Sequence, residues 1–102
     1  MATFSAVFQF SDEMPSTATL SGTSASSLIT IGTNRKFAIV ATGAFCLMLV
    51  NSNSATKTAT ASNFEFPGSA VFTLDTGNNA DSLSIYNPGS GAITYWVQPL
   101  MA

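Results

Sequence analysis

This 102-residue sequence predicts an all-β fold, a single β-sandwich or jelly-roll-like small barrel of about seven to nine short antiparallel strands. Three observations lead there. Apolar and polar residues alternate in segment after segment, which is the period of a strand with one buried face. Gly, Pro, Asn and Asp punctuate the chain at roughly 8–12-residue intervals, the turn spacing of sandwiches and barrels. No stretch carries an apolar stripe of helical period over about ten residues. The one helix-compatible run, 38–50, is broken by Thr42-Gly43 and surrounded by β-branched and aromatic side chains.

In chain order, Phe4, Ala6, Phe8 and Phe10 share one face of a first strand, against Thr3, Ser5, Val7 and Gln9. Asp12-Glu13-Met14-Pro15-Ser16 breaks that pattern, and 17–21 forms a short strand closed by Gly22. Residues 23–27 are small and polar, a loop; 28–31 is a third strand ended by Gly32-Thr33-Asn34. The segments 36–41 and 44–50 read as the two strands of one hairpin turning at Thr42-Gly43. Phe37, Ile39 and Ala41 face one way in the first, and Phe45, Leu47 and Leu49 in the second. The opposite face of the second carries Cys46, Met48 and Val50 and is also apolar, so both faces need cover, from a neighbouring subunit or an overlying loop. The stretch 51–62 is a long polar loop or a polar edge strand. Asn63-Phe64-Glu65-Phe66 is a short strand stopped by Pro67-Gly68, and 69–75 points Ala70, Phe72 and Leu74 inward. Leu83 and Ile85 continue the pattern over 82–87, and Pro88-Gly89-Ser90-Gly91 supplies a turn. The last strand, 92–98, sets Ile93, Tyr95 and Val97 on one face and Trp96 on the other. The whole of 1–102 reads as one domain, with 1–11 available as a strand or arm used in assembly.

Charge is the compositional anomaly. Only 3 residues are Lys or Arg and 5 are Asp or Glu, 8% in all, while 46% are hydrophobic. An ordinary soluble domain is about 25% charged. A surface this poor in charge favours association. Arg35, Lys36 and Lys57 are too few to track a phosphate backbone, so no nucleic-acid partner is expected. The longest apolar stretch, 37–50, falls short of the about 20 residues a spanning helix needs, so no membrane partner is expected either. Met-Ala-Thr-Phe-Ser opens without a basic segment and long apolar run, so no secretory signal is expected. Cys46 is the single cysteine, which excludes an intrachain disulfide and fits a reducing cytosol.

Catalytic chemistry finds little to work with. There is no histidine to serve a Ser or Cys nucleophile or a zinc ion. Cys46 lies mid-strand between Phe45 and Leu47, a buried inert thiol. Paired carboxylates could hydrolyse glycosides. Asp12 and Glu13 sit in a turn, however, and Glu65 alternates outward between Phe64 and Phe66, so nothing pairs two of them. The oxygen-rich run Asp75-Thr76-Gly77-Asn78-Asn79-Ala80-Asp81 weighs a calcium loop against a plain connection. Its order departs from an EF-hand, with Gly77 and Ala80 at ligand and glycine positions and Tyr86 where the closing Glu belongs, so the connection is favoured. No cofactor or metal is expected. Tyr86, Tyr95 and Trp96 could stack on sugar rings, but core or subunit contacts are the commoner use of such aromatics.

One resemblance bears on function. Lys36-Phe37-Ala38-Ile39-Val40-Ala41-Thr42-Gly43, Phe45-Cys46-Leu47-Met48-Leu49, Phe66-Pro67-Gly68-Ser69, Leu83-Ser84-Ile85-Tyr86 and Gly91-Ala92-Ile93-Thr94-Tyr95-Trp96-Val97 span about two-thirds of the chain. Together they resemble the small β-sandwich virion structural proteins of tailed phages. Those open this region with an ATG hairpin, carry a Pro-Gly or Pro-Ala-Gly turn and finish with a G-x-I-T-Y type strand. The family often has a charged strand after the ATG turn, where this chain has Phe45-Cys46-Leu47. The resemblance implies a capsid decoration or cement protein, a homotrimer seated on the major capsid protein at the virion surface and assembled in the host cytoplasm. It implies no catalytic residue.

The expectation is therefore a non-enzymatic structural protein that self-associates. The residues expected at its interface are Phe4, Phe8, Met48, Val50 and Trp96. The alternative is a carbohydrate-binding or receptor-binding module of a phage tail or fibre, with Trp96 exposed for stacking.

Overall fold

The computed structural model describes residues 10–101. The expected first strand over 4–10 lies outside them except for Phe10, as do Phe4 and Phe8. The described strands are β1 (Ser16–Leu20), β2 (Ile29–Thr30), β3 (Lys36–Ala41), β4 (Phe45–Val50), β5 (Phe64–Phe66), β6 (Phe72–Asp75), β7 (Ser82–Tyr86) and β8 (Ile93–Pro99). They make two antiparallel sheets of four: sheet I in the order β1-β8-β3-β6 and sheet II in the order β2-β7-β4-β5. Each strand of the first half pairs with its mirror counterpart in the second: β1 with β8, β2 with β7, β3 with β6, β4 with β5. The chain is thus one long antiparallel hairpin rolled across two sheets, which is the jelly-roll arrangement. The expected all-β sandwich is what forms.

Alternation sets the faces. In sheet I, Leu20 of β1, Phe37, Ile39 and Ala41 of β3, and Ile93, Tyr95 and Val97 of β8 join the core; Ile29 of β2, Phe45 and Leu47 of β4, and Leu83 and Ile85 of β7 meet them from sheet II. Phe37, Phe45, Leu83, Ile85 and Val97 are fully buried. Each such side chain is worth roughly 1.5–3 kcal/mol of transfer free energy, so the sheet-to-sheet layer carries the fold. Phe66 extends the layer to its open side. It stacks on Phe45 at 5.2 Å and meets Phe72 edge-on at 5.0 Å, closing the gap between the β5 and β6 edges. Two inward expectations differ. Leu49 is 39% exposed because the core on β4 stops at Leu47, and Ala70 is exposed because β6 begins only at Phe72.

The expected hairpin of 36–41 and 44–50 does not form. β3 lies in sheet I between β8 and β6, and β4 lies in sheet II between β7 and β5. A tight two-residue hairpin turn uses positive φ at one or both central residues, and neither Thr42 nor Gly43 has one. Gly43 is instead a packing glycine. A Cβ there would stand 2.7 Å from Ile93 Cγ2, and a Cβ on Gly68 would stand 2.5 Å from the Gly43 backbone. The β3–β4 and β5–β6 crossings therefore touch main chain to main chain. Ser69 N donates to Ala41 O at 2.7 Å, Thr42 N to Thr94 O at 2.9 Å, and Thr94 N to Thr42 Oγ1 at 3.0 Å. Three of the segments that carried the family resemblance, Ala41-Thr42-Gly43, Pro67-Gly68-Ser69 and Ile93-Thr94-Tyr95, meet at this one corner.

The chain itself covers the second apolar face of β4. Cys46, Met48 and Val50 share that face with Tyr86, Ser84 and Ser82 across the β4–β7 register. Ala59, from the connection between β4 and β5, is 3% exposed, and its N–H donates to buried Ser84 Oγ at 2.9 Å. Ser84 Oγ donates to Ser26 O at 3.0 Å, and Ile85 N to Ser26 Oγ at 2.9 Å, so a second connection is tied over the same face. The overlying loop, one of the two covers that sequence allowed, is present.

Candidate functional site

On the outer face of sheet I the described residues leave large apolar side chains exposed, although Ala38 there is buried. The β3–β8 register sets Val40 beside Trp96 and Ala38 beside Gln98, all pointing away from the core. Pro15 and Phe10 approach from the segment before β1, and Val71 from the residue before β6. Together they line an apolar groove of about 220 Å³. Phe10, Val71 and Trp96 are 61%, 62% and 41% exposed. Burying them against a partner would remove apolar area from water at roughly 25 cal/mol per Å².

Polar contacts pin the segment that brings Pro15 to the groove. The Arg35 guanidinium pairs with the Glu13 carboxylate, and Arg35 Nε donates to Leu100 O at 3.0 Å. Ser11 Oγ donates to Glu13 Oε1 at 3.0 Å. The Arg35 hydrogen bond, followed by that of Ser11, holds the Glu13 carboxyl below its ordinary pKa. Gln98 Nε2 donates to both Glu13 O and Pro99 O, at 3.1 and 3.0 Å. These contacts fix the 11–15 connection and hold Pro15 at the groove wall.

The residues expected at an interface are dispersed. Trp96 lies in the groove, Met48 is half-buried on the far sheet, and Val50 is buried beneath the chain. Tyr95 faces the core, opposite to Trp96, and burial raises its hydroxyl pKa. Sequence reasoning missed Ala38, Val40, Val71 and Pro15. The available signal was β3 itself, which carries Ala38 and Val40 opposite Phe37 and Ile39 and is apolar on both faces.

The groups considered for chemistry are placed apart. Cys46 is fully buried; burial first, and the Glu65 charge second, push its thiol pKa up. Asp75 accepts from Gly77 N at 2.7 Å in a local turn with Gly77 at φ +74°. Asp81 accepts from Ser52 Oγ, Ser52 N and Ser82 Oγ at 2.8, 2.8 and 2.9 Å, which lowers its pKa. Asp75 thus serves its own turn, and Asp81 ties the run to the connection after β4. Among the described residues no three His, Cys, Asp or Glu side chains gather.

No family model matches the chain, and no curated protein matches it. Among solved structures, it is similar to one described as the solution NMR structure of a de novo designed double-stranded beta-helix. The TM-score is 0.58 at 7% identity, covering 85% of this chain and 99% of that one. A likeness at that identity shows the fold alone.

Proposed function

We propose that this protein is a non-catalytic structural subunit that associates with copies of itself, and that its setting is the head of a tailed phage, as a decoration or cement protein on the major capsid protein. The observation that carries the self-association is the apolar groove on the outer face of sheet I, rimmed by Phe10, Val71 and Trp96. Docking two such faces is cheap, because few charges must lose water. The capsid setting and the trimer rest on the sequence resemblance; jelly rolls serve viral capsids, lectins and cupins alike, so the fold does not choose among them.

Trp96 also supports the carbohydrate-binding alternative, as an accessible indole in a concave site. A sugar, however, needs directional hydrogen bonds beside the stacking face. The groove's polar side chain, Gln98, already donates both amide hydrogens to backbone carbonyls. Val40→Glu combined with Val71→Glu tests the proposal. Light scattering is expected to show loss of the assembled species, and undecorated phage heads are expected to bind the wild type and not the variant. An unchanged mass in the variant would refute the surface. Saturable quenching of Trp96 by a soluble glycan would favour the alternative.

A further inference from the structure

We infer that the groove on sheet I receives residues 1–9 of a second copy of this chain, with Phe8 and Phe4 as the inserted side chains. This rests on the self-association proposed above and names what fills the surface.

Size and chemistry agree first. A cavity of ~150 Å³ lined by aliphatic and aromatic side chains holds a benzene molecule, so the 220 Å³ here has room for a phenyl ring. Residues 1–9, Met-Ala-Thr-Phe-Ser-Ala-Val-Phe-Gln, contain no charged side chain, and their period-two stripe is Phe4, Ala6, Phe8. That stripe continues into Phe10, which itself lines the groove. The surface is therefore already matched to this type of side chain.

Chain direction then selects a second copy. Phe10 bridges Leu100 in antiparallel sense, and Ser11 N donates to Pro99 O at 3.1 Å. Moving from Ser11 back to Phe10 therefore steps along β8 from Pro99 to Leu100, away from Gln98 and Trp96, where the groove is centred. Nine residues span at most ~30 Å at ~3.3 Å per residue, more than the 22 Å short dimension of the molecule. They can cross to the groove of a neighbour. Donation from each copy to the next is a heterologous contact, which makes a ring where its rotation closes and a filament where it does not.

Trp96 is the single tryptophan, so selectively excited tryptophan emission reports on the groove. The test follows mass by light scattering and Trp96 emission over a dilution series of the full chain. The wild type is expected to pass from an oligomer with blue-shifted emission to a 10.6 kDa monomer with red-shifted emission. Phe4→Ser with Phe8→Ser is expected to raise the dissociation midpoint at least 10-fold and to red-shift Trp96 at every concentration below it. Excess synthetic peptide of residues 1–11, added to the wild type, is expected to lower the mass while Trp96 stays blue-shifted; this arm needs no variant to fold. An oligomer that ignores both the double substitution and the peptide overturns the arm exchange and leaves self-association standing. A wild type that is monomeric throughout overturns both. Dissociation without any change at Trp96 overturns the groove as the arm's seat.

Discussion

Replacing Gly68 by alanine puts a methyl group where the β5–β6 crossing touches the β3–β4 crossing. The new Cβ would lie 2.5 Å from both Cα and C of Gly43 and 2.9 Å from its nitrogen. Carbon atoms rest at about 3.5–4.0 Å, so the two main chains must part by about 1 Å. No rotamer change relieves this, because the obstacle is backbone. Overpacking costs about 1–3 kcal/mol where neighbours can adjust, and this site belongs at the upper end. Parting the crossings also strains the 2.7 Å Ser69 N–Ala41 O and 2.9 Å Thr42 N–Thr94 O hydrogen bonds. About 3 kcal/mol, at ~4–8 °C per kcal/mol for a domain of this size, lowers Tm by ~12–24 °C. Gly43→Ala meets a side-chain methyl, Ile93 Cγ2 at 2.7 Å, and is expected to cost about half as much, ~1–2 kcal/mol. Gly91→Ala meets nothing within 4 Å and has no left-handed φ, so Tm should stay level or rise slightly. Calorimetry on the three variants reads the series. Gly68→Ala melting within about 2 °C of the wild type would refute the touching-corner account, since even 1 kcal/mol exceeds that shift.

The other expectations are read more simply. Asn87 is 1% exposed, donates to Leu20 O, Ser21 O and Gly91 O, and accepts from Gly89 N. Asn87→Ala leaves buried backbone groups unpaired and should cost ~2–3 kcal/mol in urea unfolding; a loss below about 0.5 kcal/mol would contradict that network. Cys46 should react with a disulfide reagent at least ~100-fold more slowly in the native protein than in denaturant, because burial both shields and protonates it; equal rates would put β4 at the surface. Glu13 and Asp81 have lowered folded-state pKa values, so their contribution is complete above the ordinary carboxylate range of about 3.9–4.3 and is lost as pH falls through the folded values. With no histidine in the chain, the urea midpoint should be flat from about pH 5 to 7 and fall below about pH 4; a drop between pH 7 and 5 would contradict this.

The strands were legible wherever one face is apolar and the other polar. Ile93, Tyr95 and Val97 against Thr94 and Gln98 place β8 at sight, and Phe37, Ile39 and Ala41 place the inner face of β3. The rolling of the strands was not legible, because a glycine after Thr42 reads as a turn residue whether it is needed for φ or for close approach. Only the partner across the corner, Gly68 from 25 positions later, separates the two uses. Buried serines hid the cover on sheet II. Ser82 and Ser84 have the composition of an outward face yet are fully buried, because Thr30, Ser26 and Ala59 supply their hydrogen-bond partners. Trp96 was legible as opposite to Tyr95; the groove around it was not, since Phe10, Pro15 and Val71 come to it from separate connections.

Self-association through apolar surface is the central claim, and light scattering of the purified protein behind size exclusion, at low and high salt, tests it most directly. Apolar contact is insensitive to screening, whereas charge-held contact weakens as the Debye length shrinks from about 30 Å at 0.01 M to about 3 Å at 1 M. The account predicts a mass that is a small multiple of 10.6 kDa, a trimer if the capsid resemblance holds, and equal at both salt concentrations. A monomer at both would contradict it, and an oligomer that falls apart in high salt would contradict the apolar groove as its cause.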